Sequence, residues 1–326
     1  MAVDNRREVV LVVYDGAVVM DVAGPLQVLN GAGGYRIRLA SPDGRSVRTD
    51  VGVRMDVDVA LPEVHGPVDT LLVAGYPTAA GSRPPTTLVE LVRRIGRRAR
   101  RVASVCTGAL VLAEAGLLEG RRATTHWAAC DELAARFPRV AVRPDAICVR
   151  DGPVLTSAGV TAGIDLALAL VAEDLGADRA RTVAKYLVVF LRRPGGQAQF
   201  DMAGVRPATR DPVLRRVLDA VAAQPSGEHS LAAMAARAAV SERHLTRLFR
   251  RETGTTPARY VERVRVHTAQ TMLDAGRGGL TSIARTCGFG SAETMRRAFL
   301  RVAGVTPATY RRRFGVHEVP RTAGWG

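Results

Sequence analysis

Residues 241–260 read SERHLTRLFRRETGTTPARY, and residues 291–310 read SAETMRRAFLRVAGVTPATY. At an offset of 50 they share Ser241/Ser291, Arg247/Arg297, Phe249/Phe299, Arg251/Arg301, Gly254/Gly304, Thr256/Thr306, Pro257/Pro307, Ala258/Ala308 and Tyr260/Tyr310. Such self-similarity marks one supersecondary unit used twice, and two copies are too few for a solenoid. Ser241 and Ser291 each precede a helical period and can accept a bond from a free N–H at a helix start. Leu245, Leu248, Phe249 and Glu252 share one face of the first helix, and Met295, Ala298, Phe299 and Val302 make the matching stripe of the second. Gly254 and Gly304 suit the left-handed residue that ends a helix, and Pro257 and Pro307 restart the chain. A shorter apolar segment precedes each copy, Leu231 to Ala238 and Thr281 to Cys287. Short helix, tight turn and capped helix with an arginine-rich outer face describe a helix-turn-helix, twice.

Working outward, Asp211-Pro212 opens a helix as cap and first residue, running to about residue 224. A long helix from Pro257 to Asp274 joins the two units and should hold them at a fixed separation. The stretch ending Gly254-Thr-Thr-Pro-Ala-Arg-Tyr260 resembles the DNA-binding domain of AraC/XylS-type transcription regulators. So does the run Ile283-Ala284…Gly288-Phe289-Gly290-Ser291…Phe299…Gly304-Val-Thr-Pro307…Tyr310, and the likeness covers roughly residues 211 to 315. In that family the positions matching Arg243, Thr246 and Arg247, and Glu293, Arg296 and Arg297, face the major groove. The resemblance therefore implies double-stranded DNA as partner, with two recognition helices in successive grooves about 34 Å apart. Arginine pairs with guanine O6 and N7, so G-containing blocks are expected. Arg250, Arg251 and Arg301 are expected on the phosphates, and Leu248, Phe249, Phe299 and Tyr260 in the core.

Charge agrees with this division. Residues 201–326 carry 21 arginines against 10 acidic residues, whereas residues 1–200 carry 25 basic against 21 acidic. Lys185 is the only lysine, so arginine usage is biased throughout, but a uniform bias does not explain the asymmetry. Cys106, Cys130, Cys148 and Cys287 show neither disulfide nor zinc spacing, and no metal or cofactor is expected. Without a signal peptide or a long apolar run, the sequence reads as soluble and cytoplasmic, with no membrane partner.

Residues 1–192 read as an α/β domain. Glu8 to Tyr14 is a continuous apolar run, as in a strand buried on both faces of a parallel sheet. Further strands are expected at Tyr35 to Ala40, Asp69 to Val73 and Arg101 to Val105, and a hairpin around Cys148 to Thr156 with Asp151-Gly152 at its turn. Helices are expected at Thr86 to Arg97, Thr107 to Ala115, Trp127 to Arg136 and, capped by Thr161, Gly163 to Leu175. Met1 to Arg7 reads as a frayed start. Residues 193–210 carry Pro and Gly without a period and read as the linker to an all-α domain at 211–326.

Ser104-Val-Cys-Thr-Gly108 closes a strand and opens a helix, a turn that lifts Cys106 to the sheet edge, where a helix start favours a thiolate. Asp21 lies just past the first strand, and His126 at the end of another expected strand. Three strand ends would converge on one pocket. These segments, with Gly75 and Thr156-Ser-Ala-Gly-Val-Thr-Ala-Gly163, resemble the ThiJ/PfpI branch of the class I glutamine amidotransferase-like superfamily, in its subfamily fused to an AraC-type module. The resemblance implies a flavodoxin-like fold, an elbow cysteine at Cys106, an acidic partner at Asp21 and an oxyanion-type backbone donor at Gly75. Peptidase-like members have histidine after the cysteine, where this chain has Thr107, and many relatives have glutamate where it has Asp21.

The resulting expectation is a regulator whose first domain binds a small-molecule effector at Asp21, Gly75, Cys106, Thr107 and His126. A second copy of the chain is a partner that both resemblances imply, and RNA polymerase is a further one. An exposed pocket cysteine is favoured over a buried one. The competing class is a cysteine-dependent amidase or hydratase acting at Cys106. A third is a DNA-coating protein without sequence preference.

Overall fold

The computed structural model describes residues 6–77, 83–191, 196–197, 209, 211–276 and 278–314. Most of the expected frayed start, most of the expected linker and residues 315–326 lie outside that set. The chain divides into two compact units, Met1–Arg193 and Pro194–Gly326. No helix among the described residues is long and apolar enough to cross a membrane.

The first unit contains strands β1 (Arg7–Val12), β2 (Tyr35–Ser41), β3 (Val47–Arg48), β4 (Arg54–Met55), β5 (Val59–Ala60), β6 (Thr70–Val73), β7 (Arg101–Ser104), β8 (Arg122–Ala123), β9 (Ala141–Val142), β10 (Cys148–Asp151) and β11 (Val154–Ser157). Its helices are α1 (Val19–Ala32), α2 (Thr86–Gly96), α3 (Gly108–Glu114), α4 (Cys130–Arg136), α5 (Ala162–Leu175) and α6 (Ala177–Tyr186). Seven strands form one sheet in the order β10-β11-β7-β6-β1-β2-β5, parallel except for the β10–β11 hairpin.

The apolar run of β1 explains the layering. Val10 and Val12 point to one face and join Leu71, Val73 and Val102 beneath α2 and α3. Leu11 and Val13 point to the other, with Leu72, Ala103 and Leu166 and Leu170 of α5. Each such side chain, fully buried, contributes roughly 1.5–3 kcal/mol. Beyond them, Val28 and Leu29 of α1 pack with Val171 and Val183 of α5 and α6.

At the amino-terminal ends of the strands sits a buried ion cluster. Arg101 and Asp174 are each only 2 % exposed and pair with one another, and Asp69, Arg7 and Arg100 complete the group. At the opposite ends the strand order reverses between β1 and β6, which opens a crevice at the carboxyl edge.

Three local expectations are corrected. Residues 127–136 are not one helix: Trp127–Ala129 is a 3-10 turn that leads into α4. Thr161 stands at the start of α5 but already has helical angles and makes no side-chain cap bond. The strand before His126 is β8, which pairs with β9 in a separate two-stranded sheet, so His126 does not sit on an end of the main sheet.

The second unit is helical: α7 (Pro212–Ala223), α8 (Leu231–Arg237), α9 (Glu242–Thr253), α10 (Pro257–Asp274), α11 (Leu280–Thr286), α12 (Ala292–Ala303) and α13 (Pro307–Phe314). Ser241 accepts from the His244 N–H at 3.2 Å, and Ser291 from the Thr294 N–H at 3.0 Å. Gly254 (φ 66°) and Gly304 (φ 68°) end α9 and α12 in the left-handed region. Each half has its own core. Leu245, Leu248, Phe249 and Tyr260 pack with α7 and α8, and Met295, Ala298, Phe299 and Tyr310 with α11 and the second half of α10.

Candidate effector site and nucleic-acid interface

Cys106 follows β7 and has φ 56°, a left-handed conformation that a non-glycine residue adopts only where its surroundings hold it. Its own N–H donates to the carbonyls of Ser157 (3.2 Å) and Ala158 (3.1 Å), which fixes the turn against β11. Asp21, in the first turn of α1, is fully buried beside it. One Asp21 oxygen accepts from the Gly75 N–H at 3.0 Å and the other from the Val160 N–H at 3.1 Å. Gly75 has to be glycine: a Cβ there would lie 2.6 Å from Asp21 Oδ2 and 2.7 Å from the Cys106 Cβ. The Thr107 hydroxyl accepts from the Tyr76 N–H at 2.7 Å and donates to the Tyr76 carbonyl at 2.6 Å, clamping the loop that follows β6.

The electrostatics follow from burial. Desolvation pushes Asp21 up to about 7, against the pull of the bonds from Gly75, Val160 and Cys106. Burial, with the Asp21 charge second, pushes the Cys106 thiol up to about 12, although the N–H groups of Thr107 and Val160 pull the other way. At neutral pH the sulfur is therefore a thiol, and burial favours the protonated form of the carboxyl beside it.

In the second unit the outer faces of α9 and α12 are open. Arg243, Arg247 and Arg250 of α9 are exposed, and no carboxylate pairs with them among the described residues. On α12, Glu293 holds Arg296 through two bonds of 2.7 and 2.8 Å and reaches Arg297 at 3.6 Å.

Residues 7–173 match the DJ-1/PfpI family, and residues 234–313 match a helix-turn-helix domain. The chain belongs to the DJ-1/PfpI family, in the branch that carries an AraC-type helix-turn-helix domain. It is 32% identical over 276 residues to the HTH-type transcriptional regulator CdhR of Pseudomonas aeruginosa, which covers 84% of this chain and 81% of the relative. It is 37% identical over 167 residues to the isonitrile hydratase of Pseudomonas putida, 50% of this chain and 70% of that one. A ThiJ/PfpI family protein from Pseudomonas syringae of known structure superposes with a TM-score of 0.52 at 29% identity, over 67% of this chain and 87% of that chain.

Within this DJ-1/PfpI domain Asp21, Gly75, Cys106 and Thr107 are brought together, but not all as expected. Cys106 is buried, not exposed, at 6 %. Desolvation outweighs any help from the short α3, so the expected thiolate gives way to a thiol. The Gly75 N–H is taken by Asp21 and does not stand free for an anion. His126 borders the same group: its neighbour Thr125 donates to the Cys106 carbonyl at 2.8 Å, and its own ring, which accepts from the Ala128 N–H at 3.3 Å, packs on Gly159 next to the Val160 that holds Asp21. Burial holds its imidazole below the usual value.

Val160 was missing from the sequence reading of the site. It has φ 55° and supplies the second donor to Asp21 from 139 residues away. The stretch 156–163 carried the family likeness, but nothing local marks Val160 as the donor. In the helical unit two expected phosphate ligands are already paired. Arg301 binds Glu262 of α10, and Arg251 binds Glu252 at 2.8 Å and Asp211 at 3.7 Å.

Proposed function

We propose that this chain is a sequence-specific, DNA-binding transcription regulator whose DJ-1/PfpI domain binds a small-molecule effector and pairs with a second copy. Arg243, Thr246 and Arg247 of α9, and Glu293, Arg296 and Arg297 of α12, read base edges, and Arg250 steadies a phosphate. The supporting observation is that Arg247 and Arg297 recur at one place in both copies and stand exposed on the face opposite the core stripe. Family membership points the same way. Arg247→Ala and Arg297→Ala should each cost ~1–3 kcal/mol of binding and relax preference at one base position. Equal loss on target and random duplex would remove the base-reading assignment.

In the first domain the effector site is the carboxyl-edge crevice beside Asp21, Gly75, Cys106 and Thr107. A buried carboxyl that titrates near neutrality, beside a neutral thiol, suits hydrogen bonding to a ligand better than nucleophilic attack. His126 contributes through its neighbour Gly159. RNA polymerase is a further partner of the bound regulator.

A cysteine-dependent hydratase or amidase is the second reading, favoured by the strained Cys106 turn and the likeness to an isonitrile hydratase. Thiol titration separates the two. The regulator predicts slow alkylation at neutral pH, whereas an enzyme predicts fast alkylation and turnover abolished in Cys106→Ala.

A further inference from the structure

The two reading helices differ most at one pair of matched positions, Arg243 in α9 and Glu293 in α12. Glu293 is half exposed (54 %) in the first turn of α12, where the side-chain cap bond itself is made by Ser291. Its carboxylate grips the fork of Arg296 through both Nε and one terminal nitrogen, and stands 3.6 Å from Arg297 Nε. An exposed pair of this kind adds little to stability. It does occupy the edge of Arg296 that would otherwise pair with a guanine or a phosphate.

We propose that Glu293 is the selectivity element of the second reading helix. Its carboxylate holds Arg296 and Arg297 back from DNA without a matching base, and releases them where a cytosine N4 amine takes it as acceptor. The inference rests on the reading of α12 as the groove-facing helix. Three features carry it. A carboxylate facing phosphates repels them, so a bound state with Glu293 unsatisfied loses attraction everywhere along the duplex. Glutamate accepts from cytosine N4, so the loss is offset only at sites that present that amine. In α9 the matched Arg243 has no such partner among the described residues, so that helix supplies attraction without the same restraint.

The test uses the full-length protein and a randomised duplex library, with binding also measured on one selected duplex and one random duplex over a salt series. Glu293→Ala should bind the random duplex at least about 3-fold more tightly, with a salt slope steeper by about one. The cytosine preference at one position of the second block should disappear. Glu293→Gln should move that position towards adenine, which glutamine reads through N6 and N7. Arg297→Ala serves as the control. If Glu293 variants leave random-duplex affinity and every base preference unchanged while Arg297→Ala still relaxes one position, the proposal is wrong and α12 still reads the groove. If all three variants are silent, the groove placement itself fails and the proposal goes with it.

Discussion

Asp174 and Asp21 are both buried in the same α/β domain, at opposite ends of one sheet. Burial alone would raise both carboxyls. At Asp174 the hydrogen bonds and charge of Arg101, with Tyr35 and Arg7, outweigh burial and hold the carboxylate below its ordinary value. At Asp21 only backbone N–H groups and a thiol answer, so burial wins and the group rises to about 7. Two aspartates in one fold are thus driven in opposite directions: one is held as the anion that ties strands to α5, the other is held towards its protonated form. In the helical domain a third treatment appears, in which arginines remain outside on α9 and α12. Where charge is placed, and what answers it, separates structure from site more sharply than residue type does.

The largest effect should come from breaking the compensated end. Arg101→Ala leaves the buried Asp174 without its main partner and should cost ~3–5 kcal/mol of domain stability, read by denaturant unfolding. A loss under 1 kcal/mol would mean that Arg7 and Arg100 suffice. Next comes the pH signature of the uncompensated end. A carboxyl raised in the folded state binds more protons folded than unfolded, so its stabilisation is complete below about pH 4 and is lost as pH rises towards 7. The wild type should lose roughly 2–4 kcal/mol over that window through this group, and Asp21→Asn should lack the decline. Asp174 has the reverse sign, with stability lost only as pH falls below the ordinary carboxyl range. An Asp21→Asn profile parallel to the wild type would erase the contrast.

Smaller effects belong to the helical domain. Ser291→Ala removes the acceptor of the Thr294 N–H and should cost ~1 kcal/mol in a melt of the full chain. Arg250→Ala should shift stability by no more than about 0.5 kcal/mol. Its DNA affinity should fall alike on all sequences, with a salt slope shallower by about one. Arg301→Ala should change that slope less, because Glu262 already answers its charge.

Much of this was legible in the sequence, and the reason differs by region. The helix-turn-helix copies announce themselves because capping, the apolar stripe and the closing glycine are local, and Ser241, Phe249 and Gly254 repeat as Ser291, Phe299 and Gly304. The strands β1, β6 and β7 stand out as apolar runs, and β2 by its alternation. Helix α1 was not marked out in the sequence, since Gly24 and Pro25 lie within it, and α6 was missed because most of its residues are polar and only Ala180, Val183 and Ala184 are buried. At the elbow the sequence placed Cys106, Asp21 and Gly75 together but not their protonation. Burial of the thiol, the Gly75 and Val160 bonds to Asp21 and the packing of the His126 ring on Gly159 all depend on contacts between distant residues. The Arg301–Glu262 pair, 39 residues apart, was hidden for the same reason.

The most direct test of the account is a selection of genome fragments bound by the purified full-length protein, repeated at raised salt. A motif of two G-containing blocks about one helical turn apart, surviving the salt that removes bulk binding, is the expected result. Binding spread evenly over all fragments and lost with salt would contradict it.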